Sequence, residues 1–363
     1  MTPVLLLGAG KIGRAIASLL HHSGSYSVLV ADNDPAALEK LGTMVPVHTE
    51  LVDASNADSL RSLMKDRRVV ISALVYSANP LVAAAAVETE TSYFDLTEDV
   101  ATTRAVRQLA DRCAAGRILM PQCGLAPGFI SVIAGHLIRQ FDSLDAVHMR
   151  VGALPQFPSN NLKYNLTWST DGLINEYCNP CEAIHDGELR EVLPLEGLEE
   201  FSLDGVRYEA FNTSGGLGTL CETMQGRVRE LNYRTIRYVG HRELMEFLLR
   251  GLRLSERRAL LKDILENAIP VTWQDVVITF VNVSGMMNGQ FVQLNDARKI
   301  YHQHSGDRHW SAIQLTTAAG VCAAVDLHLA GKLPSQGFVR QEDIAFEDFI
   351  SNRFGRIFET RDV

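Results

Sequence analysis

The beginning of the chain contains the pattern that most restricts its fold. Four apolar residues, Val4 to Leu7, lead into Gly8, Gly10 and Gly13 in the spacing G-x-G-x-x-G. The apolar run predicts a strand buried on both faces of a parallel sheet, and the apolar positions after Gly13 recur with helical spacing. Strand, glycine-rich turn and helix in this order are typical of a doubly wound α/β sheet that binds a dinucleotide.

The three glycines have separate expected tasks. Gly8 lets the chain turn sharply out of the strand, Gly10 leaves room for a pyrophosphate against the backbone, and Gly13 lets the helix pack on the strand. The first helical residues, Lys11 and Ile12, would direct free N–H groups and the positive end of the helix dipole toward the phosphates. The alternative is a tight turn that binds no ligand.

An acidic residue stands where a dinucleotide-binding unit places its ribose-binding carboxylate. The second apolar strand, Ser27 to Ala31, ends in Asp32, which lies 19 residues after Gly13. A carboxylate there would accept a hydrogen bond from a ribose 2′-hydroxyl and repel a 2′-phosphate. Asn33 follows, where NADP-binding proteins often carry an arginine. The sequence therefore favours NAD over NADP.

Later segments extend the predicted cofactor site along the same edge of the sheet. A further central strand ends at Ala73 and Leu74, where we expect the cofactor to cross. Asp53 follows a short strand predicted from 45 to 48. It either lies beside the adenine or caps the helix predicted from 57 to 64, and the sequence leaves both alternatives open.

Length and pattern together predict two domains. A chain of 363 residues is too long for one ordinary domain. Strands alternate with helices through about residue 120. A glycine/proline elbow at Cys123–Gly128 and segments of β alternation follow. We predict a dinucleotide-binding Rossmann domain over 1–122, an α+β catalytic domain with a mainly antiparallel sheet over 123–310, and a helical segment over 311–363 that returns to the first domain.

Composition excludes several kinds of partner. The net charge of −9 argues against a nucleic-acid or anionic-membrane surface. The chain enters its first strand at once, so we expect no signal peptide. The apolar segment 312–330 contains Gln314, Asp326 and His328, so we expect a buried helix and no membrane span. Six scattered cysteines indicate reduced thiols and a cytoplasmic protein.

Two groups of residues imitate sites of other kinds, a redox dithiol and a metal site. Cys178 and Cys181 have the spacing of a redox dithiol, but the residues after them predict a hairpin with an Asp-Gly turn. The second group contains three histidines that could bind a metal, but a polar strand end is the better interpretation; these are His302, His304 and His309. We therefore predict no metal site.

Five motifs across most of the chain resemble the saccharopine dehydrogenase and lysine 6-dehydrogenase family. They are Gly8–Gly13, Gly124–Gly128, Tyr164-Asn165, Glu209–Gly216, and Asn232–Tyr238 with His241. The resemblance implies a Rossmann domain, an inserted catalytic domain and a homodimer. It also implies hydride transfer between NAD(P) and the C–N bond of a small lysine-derived amino acid. Saccharopine, lysine and a carboxylated polyamine remain alternative substrates, and an NAD sensor without turnover is the non-enzyme alternative.

The implied reaction needs an acid/base, for which Asp95, Glu98 and His241 are the candidates. Cys123 lies in the elbow, where a buried structural thiol is the better interpretation. The reaction also needs a grip on the substrate α-carboxylate, preferably by arginine. The candidate cations are Arg150, Arg234 and Arg237, and the candidate hydrogen-bonding residues are Tyr164, Asn165, Thr213 and Ser214.

The segment 227–242 contains five arginines, and this abundance favours saccharopine, which has two more carboxylates than lysine. Only alternate residues of a strand share a face. Arg234 and Arg237 differ in parity, so we expect only one of them to face the substrate.

Overall fold

The structure, a computed structural model, describes residues 1–305 and 308–359 and divides into two compact units. The first unit comprises Met1–Phe129 and Thr316–Glu359, and the second lies within Ile130–Leu315. The boundaries expected after residues 122 and 310 stay predictions. Residues 360–363, the end of the expected C-terminal segment, lie outside the described residues.

Strands and helices alternate from the N-terminus to residue 120, as the apolar pattern predicts. They are β1 (Thr2–Leu7), α1 (Lys11–His22), β2 (Tyr26–Asp32), α2 (Pro35–Gly42), β3 (His48–Leu51), α3 (Ala57–Met64), β4 (Val69–Ser72), α4 (Asn79–Glu88), β5 (Ser92–Asp95), α5 (Val100–Arg107) and β6 (Ile118–Met120).

The second part of the chain is richer in strands. It contains α6 (Phe129–Ile138), β7 (Ser143–Pro155), α7 (Thr170–Cys178), β8 (Cys181–His185), β9 (Glu188–Val192), β10 (Glu199–Leu203), β11 (Val206–Asn212), α8 (Leu220–Met224), β12 (Glu230–Tyr238), α9 (His241–Glu246), α10 (Arg258–Ala268), β13 (Asp275–Met287), β14 (Gln290–Tyr301), β15 (Gln303–Ser305) and β16 (Arg308–Trp310). A π-helical turn at Phe247–Gly251 follows α9. The C-terminal elements are α11 (Ala312–Leu329), β17 (Gly337–Phe338) and α12 (Phe346–Ser351).

The first sheet has seven strands in the order β17-β6-β5-β4-β1-β2-β3, and every neighbouring pair is parallel. This order is that of a doubly wound Rossmann sheet with β17 added at one edge. Val4 to Leu7 are completely buried in β1, as a strand covered on both faces should be. The predicted fold class is confirmed.

The C-terminal residues belong to this first unit. β17 pairs with β6 in parallel, and Gly320 of α11 lies against the elbow. A Cβ atom on Gly320 would lie 2.5 Å from the carbonyl oxygen of Gly124 and 2.7 Å from that of Cys123. Only a glycine allows this close approach of helix and elbow.

The second sheet has eight strands and is mainly antiparallel. Its main path is β10-β11-β12-β7-β13-β14, and β8 joins β12 and β9 at the side. β12 and β7 form the parallel pair, with Arg234 opposite Arg150. On its other side β12 runs antiparallel to β11, with Arg237 opposite Glu209. Because side chains alternate along a strand, Arg234 and Arg237 lie on opposite faces of this sheet.

The expected strand at 45–48 is wrong in its position. The N–H of Val45 donates to Leu41 O and closes the preceding helix, and Pro46 lacks an N–H for a strand ladder. The strand β3 forms at His48–Leu51 instead, at the exposed edge of the sheet, where apolar content is no guide. β14 was not predicted either, because charged and amide residues occupy six of its twelve positions without regular alternation.

One helix within the described residues is long and apolar enough to cross a membrane, namely Ala312–Leu329. Of its most apolar window, 78% is buried inside the structure, as in the core helix of a globular protein.

Candidate functional site

The glycine-rich loop separates into positions that the fold requires and one that it leaves open. Gly8 has a φ of +103°, and a Cβ on Gly13 would lie 2.0 Å from the Gly8 carbonyl oxygen. A Cβ on Gly10 would meet no atom within 4 Å. Gly8 and Gly13 are therefore glycines for backbone reasons, whereas Gly10 borders space that a pyrophosphate would fit. Lys11 and Ile12 open α1 beside this space.

Asp32 lies at the end of β2 and is hydrogen-bonded to the glycine-rich loop. Its Oδ2 accepts a hydrogen bond from the N–H of Ala9 at 2.6 Å, and its Oδ1 accepts from the N–H of Asp34 at 2.9 Å. Arg14 also reaches the loop, because its Nη1 donates to the Ala9 carbonyl at 3.0 Å. Arg14 was not among the predicted site residues. Its position directly after Gly13 was the signal that could have identified it.

A cavity of about 520 Å³ opens beside Asp32. It contains four predicted cofactor residues, and none of its lining residues is a lysine or arginine; the lining is Leu7, Ala31, Asp32, Asn33, Val52, Asp53, Ala54, Ser55, Leu74, Val75, Ser77, Ala78 and Leu81. Ala73 lies next to it under the loop, where its carbonyl oxygen would be 2.7 Å from a Cβ on Gly8. Size, apolar walls and an acid fit an adenosine.

The two alternatives for Asp53 are resolved in part. Asn56 caps α3 by accepting from the N–H of Ser59 at 3.1 Å, so the capping interpretation of Asp53 is wrong. Asp53 accepts from the N–H of Ser55 at 2.9 Å, and this bond lowers the pKa of Asp53. Its place in the cavity wall agrees with the adenine alternative.

Asp95 lies at the carboxyl end of β5 and is completely buried. It accepts hydrogen bonds from the Tyr93 hydroxyl at 2.6 Å and from the N–H groups of Thr97 and Gln122, each at 2.9 Å. Burial raises the pKa of Asp95 to about 6, although these three bonds oppose the rise. Glu98 follows three residues later and is half-buried.

Cys123 follows Gln122 in the elbow and is a buried thiol, as expected. Its Sγ donates to the Met120 carbonyl at 3.0 Å and accepts from Gln341 Nε2 at 3.0 Å. Burial raises the pKa of Cys123 well above its ordinary value. The thiol is therefore held in its protonated form.

In the second unit a cluster of buried polar side chains comes from five separate segments. We call it the Arg237 cluster, and its members are Tyr164, Asn165, Asn175, Glu176, Tyr177, Thr213, Ser214, Tyr233, Arg237 and His241. Seven of these belong to motifs that the sequence singled out around residues 164, 213 and 237. Asn175, Glu176 and Tyr177 were missed, since one helical turn of α7 carries no recognisable pattern.

Arg237 is 3% exposed, and two of its three nitrogens are engaged. Nε donates to the Tyr177 hydroxyl at 2.8 Å, and Nη1 donates to the Ile236 carbonyl at 2.8 Å. The guanidinium carbon also lies 4.9 Å from the centre of the Tyr164 ring. Among residues 1–305 and 308–359, Nη2 has no hydrogen-bond partner.

The charge of Arg237 is retained in spite of its burial. Desolvation disfavours the charged form, but Tyr177, Tyr164 and Glu176 outweigh it, so the pKa of Arg237 is raised. A buried, permanently charged guanidinium with a spare N–H group is suited to a carboxylate.

His241, the first residue of α9, is 1% exposed, and both of its ring nitrogens are engaged. Nδ1 lies 2.7 Å from the Leu162 carbonyl oxygen, and Nε2 lies 3.0 Å from the Tyr177 hydroxyl. Burial, together with the charge of Arg237, lowers the pKa of His241 to about 3. The imidazole is therefore neutral at physiological pH.

Three buried polar atoms of the Arg237 cluster have no hydrogen-bond partner within the described part of the chain: Asn165 Oδ1, Asn175 Nδ2 and Thr213 Oγ1. Their neighbours are satisfied, since Asn165 Nδ2 donates to Pro270 O at 3.0 Å and Ser214 Oγ donates to Asn175 O at 3.1 Å. Unpaired buried groups are uncommon in proteins and indicate a missing polar ligand or water.

The glycines of the Thr213–Gly216 motif have a structural reason. A Cβ on Gly216 would lie 2.3 Å from the ring of Tyr233, and Gly215 has a φ of +86°. The motif thus brings Thr213 and Ser214 beside α7 while the Tyr233 ring packs on Gly216.

Arg234 and Arg150 lie on the other face of β12 and β7, away from Arg237. Both pair with Glu199, which accepts from Arg150 Nη2 at 3.0 Å and from Arg234 Nη1 at 2.5 Å. The structure therefore groups Arg237 with Tyr164, Asn165, Thr213, Ser214 and His241, and separates Arg234 and Arg150 from them.

The hairpin expected after the two cysteines is present, whereas the absence of a metal at the three histidines stays a prediction. Cys181 to Val192 form a hairpin, and burial raises the pKa of Cys178 and raises that of Cys181 to about 12. His304 Nε2 lies 3.2 Å from His309 Nδ1, and His302 Nδ1 lies 2.8 Å from Gln156 Nε2.

Within the described residues, the side chains close enough to share a metal ion are those of His185, Asp186 and Glu230, at the surface. Arg229 contacts both of these carboxylates, at 4.0 and 2.8 Å, which opposes a second cation there.

Two family models match the chain. The model of the saccharopine dehydrogenase NADP binding domain matches residues 4–120, and that of the saccharopine dehydrogenase C-terminal domain matches residues 124–356.

Curated relatives are more distant. The mitochondrial alpha-aminoadipic semialdehyde synthases of Bos taurus and Rattus norvegicus are each 22% identical, over 91% and 77% of this chain. The matches cover 37% and 31% of those proteins, so the chain spans about a third of their length.

A solved structure has the same fold along nearly the whole chain. Apo saccharopine dehydrogenase (L-Glu forming) from Saccharomyces cerevisiae superposes with a TM-score of 0.80 at 18% identity, covering 96% of this chain and 97% of that one.

Proposed function

Because the chain belongs to the saccharopine dehydrogenase family, we propose that it is an NAD-dependent oxidoreductase that acts on the C–N bond of a lysine-derived amino acid. Saccharopine is the first candidate substrate. The observation that carries the proposal is Arg237, a buried cation with an unpartnered nitrogen among buried polar atoms that also lack partners.

The Arg237 cluster fits the head group of an α-amino acid. Arg237 Nη2 would donate to the α-carboxylate, and Thr213 Oγ1 and Asn165 Oδ1 would bond the remaining polar atoms of the zwitterion. A ligand that bonds these atoms satisfies buried groups that are costly to leave unpaired. Tyr164 and Tyr177 form aromatic walls around the guanidinium.

The cofactor proposal rests on the cavity beside Asp32. Gly10 and the start of α1 would hold the pyrophosphate, and Asp32 would accept from the adenosine ribose 2′-hydroxyl. When bound, the nicotinamide supplies or accepts the hydride. Although the matched domain model is named for NADP, two acids and no lysine or arginine line this cavity, which supports NAD.

Proton transfer is proposed for Asp95 or Glu98. Glu98 is the better placed of the two, because it is half-buried, whereas Asp95 is completely buried and already accepts three hydrogen bonds. His241 is less suited to this task, since both of its nitrogens are already engaged.

The five arginines of segment 227–242 do not support saccharopine, because three of them pair with carboxylates of the protein. Arg234 pairs with Glu199, Arg229 with Asp145, and Arg242 with Glu246. Arg237 is thus the one member of this group in the Arg237 cluster. One guanidinium in the cluster matches one carboxylate, and this favours lysine, the second candidate substrate. Saccharopine stays the first candidate because both matched family models are named for saccharopine dehydrogenase. A carboxylated polyamine is less well matched.

The test is absorbance at 340 nm with the purified chain at alkaline pH. NAD and NADP are each paired with saccharopine, lysine and a carboxylated polyamine. We expect NADH formation with saccharopine, and formation with lysine alone would select the second candidate. Cofactor binding with no turnover on any compound would contradict the enzyme proposal and support a sensor.

We further propose a homodimer, as the resemblance implies, and a cytoplasmic location, which the six free cysteines support. Sedimentation velocity would contradict the homodimer by giving the mass of a monomer, 40.1 kDa, at micromolar concentration.

A further inference from the structure

The hydrogen bonds around Tyr177 have a single consistent direction. The Leu162 carbonyl is only an acceptor, so the His241 Nδ1 that lies 2.7 Å from it must carry the proton. His241 Nε2 is then an acceptor, and the Tyr177 hydroxyl donates a hydrogen bond to it at 3.0 Å. The Tyr177 oxygen is left to accept from Arg237 Nε at 2.8 Å. The chain of bonds therefore runs from Arg237 through Tyr177 and His241 to Leu162.

A protonated His241 would break this chain. An imidazolium has two N–H groups and no acceptor, so it would force the Tyr177 hydroxyl to turn its proton toward Arg237. The groups that face His241 disfavour that charge. Arg237 on β12 is cationic, and the rings of Tyr164, Tyr177 and Phe211 surround the imidazole at 5.4, 5.9 and 6.4 Å between centroids. The acidic neighbour, Glu176 on α7, interacts with Arg237 and Tyr177.

The consequence for Arg237 is a fixed orientation. Nε is held by Tyr177 and Nη1 by its own strand, so the planar guanidinium has no remaining rotation and Nη2 keeps one direction. Preorganising a charged donor lowers the entropy that substrate binding must otherwise overcome.

We infer that Tyr177 and His241 are positioning residues for substrate recognition, with neutral His241 acting as a permanent hydrogen-bond acceptor and not as the acid/base of the reaction. This inference rests on the proposed function, because Arg237 must bind the substrate carboxylate for its orientation to matter. It assigns a role to Tyr177, and it moves His241 from the acid/base candidates to the binding of the amino-acid head group.

The kinetic test uses substitutions that differ in one hydrogen-bonding atom. His241→Gln can place an acceptor near the Nε2 position, whereas His241→Asn is too short to reach Tyr177. Tyr177→Phe removes the hydroxyl. We expect His241→Asn and Tyr177→Phe to raise the KM for the amino-acid substrate about 10-fold or more. They should change kcat and the KM for NAD less than about 3-fold, and His241→Gln should restore most of the loss.

Two controls separate positioning from general damage. Tyr238 lies on β12 beside Arg237 but faces the other side of the sheet, where its hydroxyl donates to Pro155 O at 2.8 Å. Tyr238→Phe removes that hydroxyl and should leave every kinetic constant near wild type. In an Arg237→Ala background, Tyr177→Phe should add no further loss, since both act through one contact. A kcat loss of 100-fold or more in His241→Gln, with a missing limb in the pH profile, would overturn the inference in favour of acid/base catalysis.

A second measurement needs no turnover. Nuclear magnetic resonance of ¹⁵N-histidine-labelled protein reports the His241 tautomer, with His241→Gln for its assignment. We expect neutral imidazole with the proton on Nδ1 from pH 5 to 8. A protonated ring or an Nε2–H tautomer would overturn the inference whether or not the enzyme is active. If no compound is turned over but the Nδ1–H tautomer is found, the proposed function fails and the hydrogen-bond chain stands.

Discussion

The two candidate regions are built in different ways. The dinucleotide region of the first unit relies on backbone: a turn at Gly8, open space at Gly10, helix N–H groups and one carboxylate at Asp32. The Arg237 cluster relies on side chains from five segments between residues 164 and 241. A backbone site leaves a local pattern in the sequence, because it needs particular glycines at fixed spacing. A side-chain network leaves only scattered polar residues.

The two units also differ in the pKa of a buried titratable group. Asp95 has three donors and a pKa raised by burial to about 6, so its charge changes near neutral pH. His241 has one donor, one acceptor and a cation beside it, so it stays neutral. In both groups burial is the largest cause of the pKa shift, and it favours the neutral form, which is the protonated carboxyl of Asp95 and the unprotonated imidazole of His241.

The first prediction compares the two arginines of β12. Arg237→Ala should lower kcat/KM for the amino-acid substrate by about 2–4 kcal/mol in transition-state stabilisation, through loss of a buried charged contact. Arg234→Ala should retain near-wild-type kcat/KM, since Arg234 pairs with Glu199 on the other face. Steady-state kinetics of both variants checks this, with circular dichroism to confirm folding. Equal losses would mean that the two faces do not differ in function.

The second prediction concerns Asp95 and pH. The folded state keeps the proton up to about pH 6, whereas the unfolded chain loses it above the ordinary value of 3.8. The contribution of Asp95 to stability is therefore greatest at low pH and decreases as pH rises through about 6, by up to about 3 kcal/mol. Asp95→Asn should lack this decrease.

Urea unfolding of wild type and Asp95→Asn at pH 4, 5, 6 and 7 measures the difference directly. The variant should gain stability relative to wild type as the pH rises. A constant difference across this range would show that Asp95 titrates alike in both states, and the contrast with His241 would then be lost.

The third prediction concerns the cofactor carboxylate. Asp32→Ala should weaken NAD binding by about 1–3 kcal/mol, because it leaves a ribose hydroxyl without its acceptor. Wild type should have the higher kcat/KM with NAD than with NADP. Glu39→Ala removes a similar charge from the exposed surface of α2 and serves as the control. Equal kcat/KM for the two cofactors in wild type would contradict the assignment.

The fourth prediction tests whether the dinucleotide region depends on backbone access. Gly10→Ala should weaken NAD binding by about 1–2 kcal/mol by crowding the pyrophosphate, as overpacking does elsewhere. It should leave the free protein nearly as stable as wild type, because a Cβ there meets no atom within 4 Å. Gly13→Ala is the structural counterpart and should lower the stability of the free protein. Isothermal titration and thermal unfolding separate the two, and tight NAD binding by Gly10→Ala would refute the model of close approach.

Much of the first unit could be predicted from sequence. β1, the glycine loop and Asp32 follow one another within a short stretch, so local spacing specifies their geometry. The exposed strand β3 was placed wrongly because an edge strand needs no apolar run. In the second sheet, β12 was predicted in part, but its neighbours depend on long-range pairing that leaves no local signal.

For the second unit, the sequence by itself determined that Arg234 and Arg237 lie on opposite faces, because strand parity is a property of the backbone. It could not decide which of the two meets ligand. The tertiary structure decided that by bringing Glu199 to one face, and Tyr177 and His241 to the other. Whether an arginine pairs with a carboxylate depends on residues far away in the chain, and only folding brings those residues into contact.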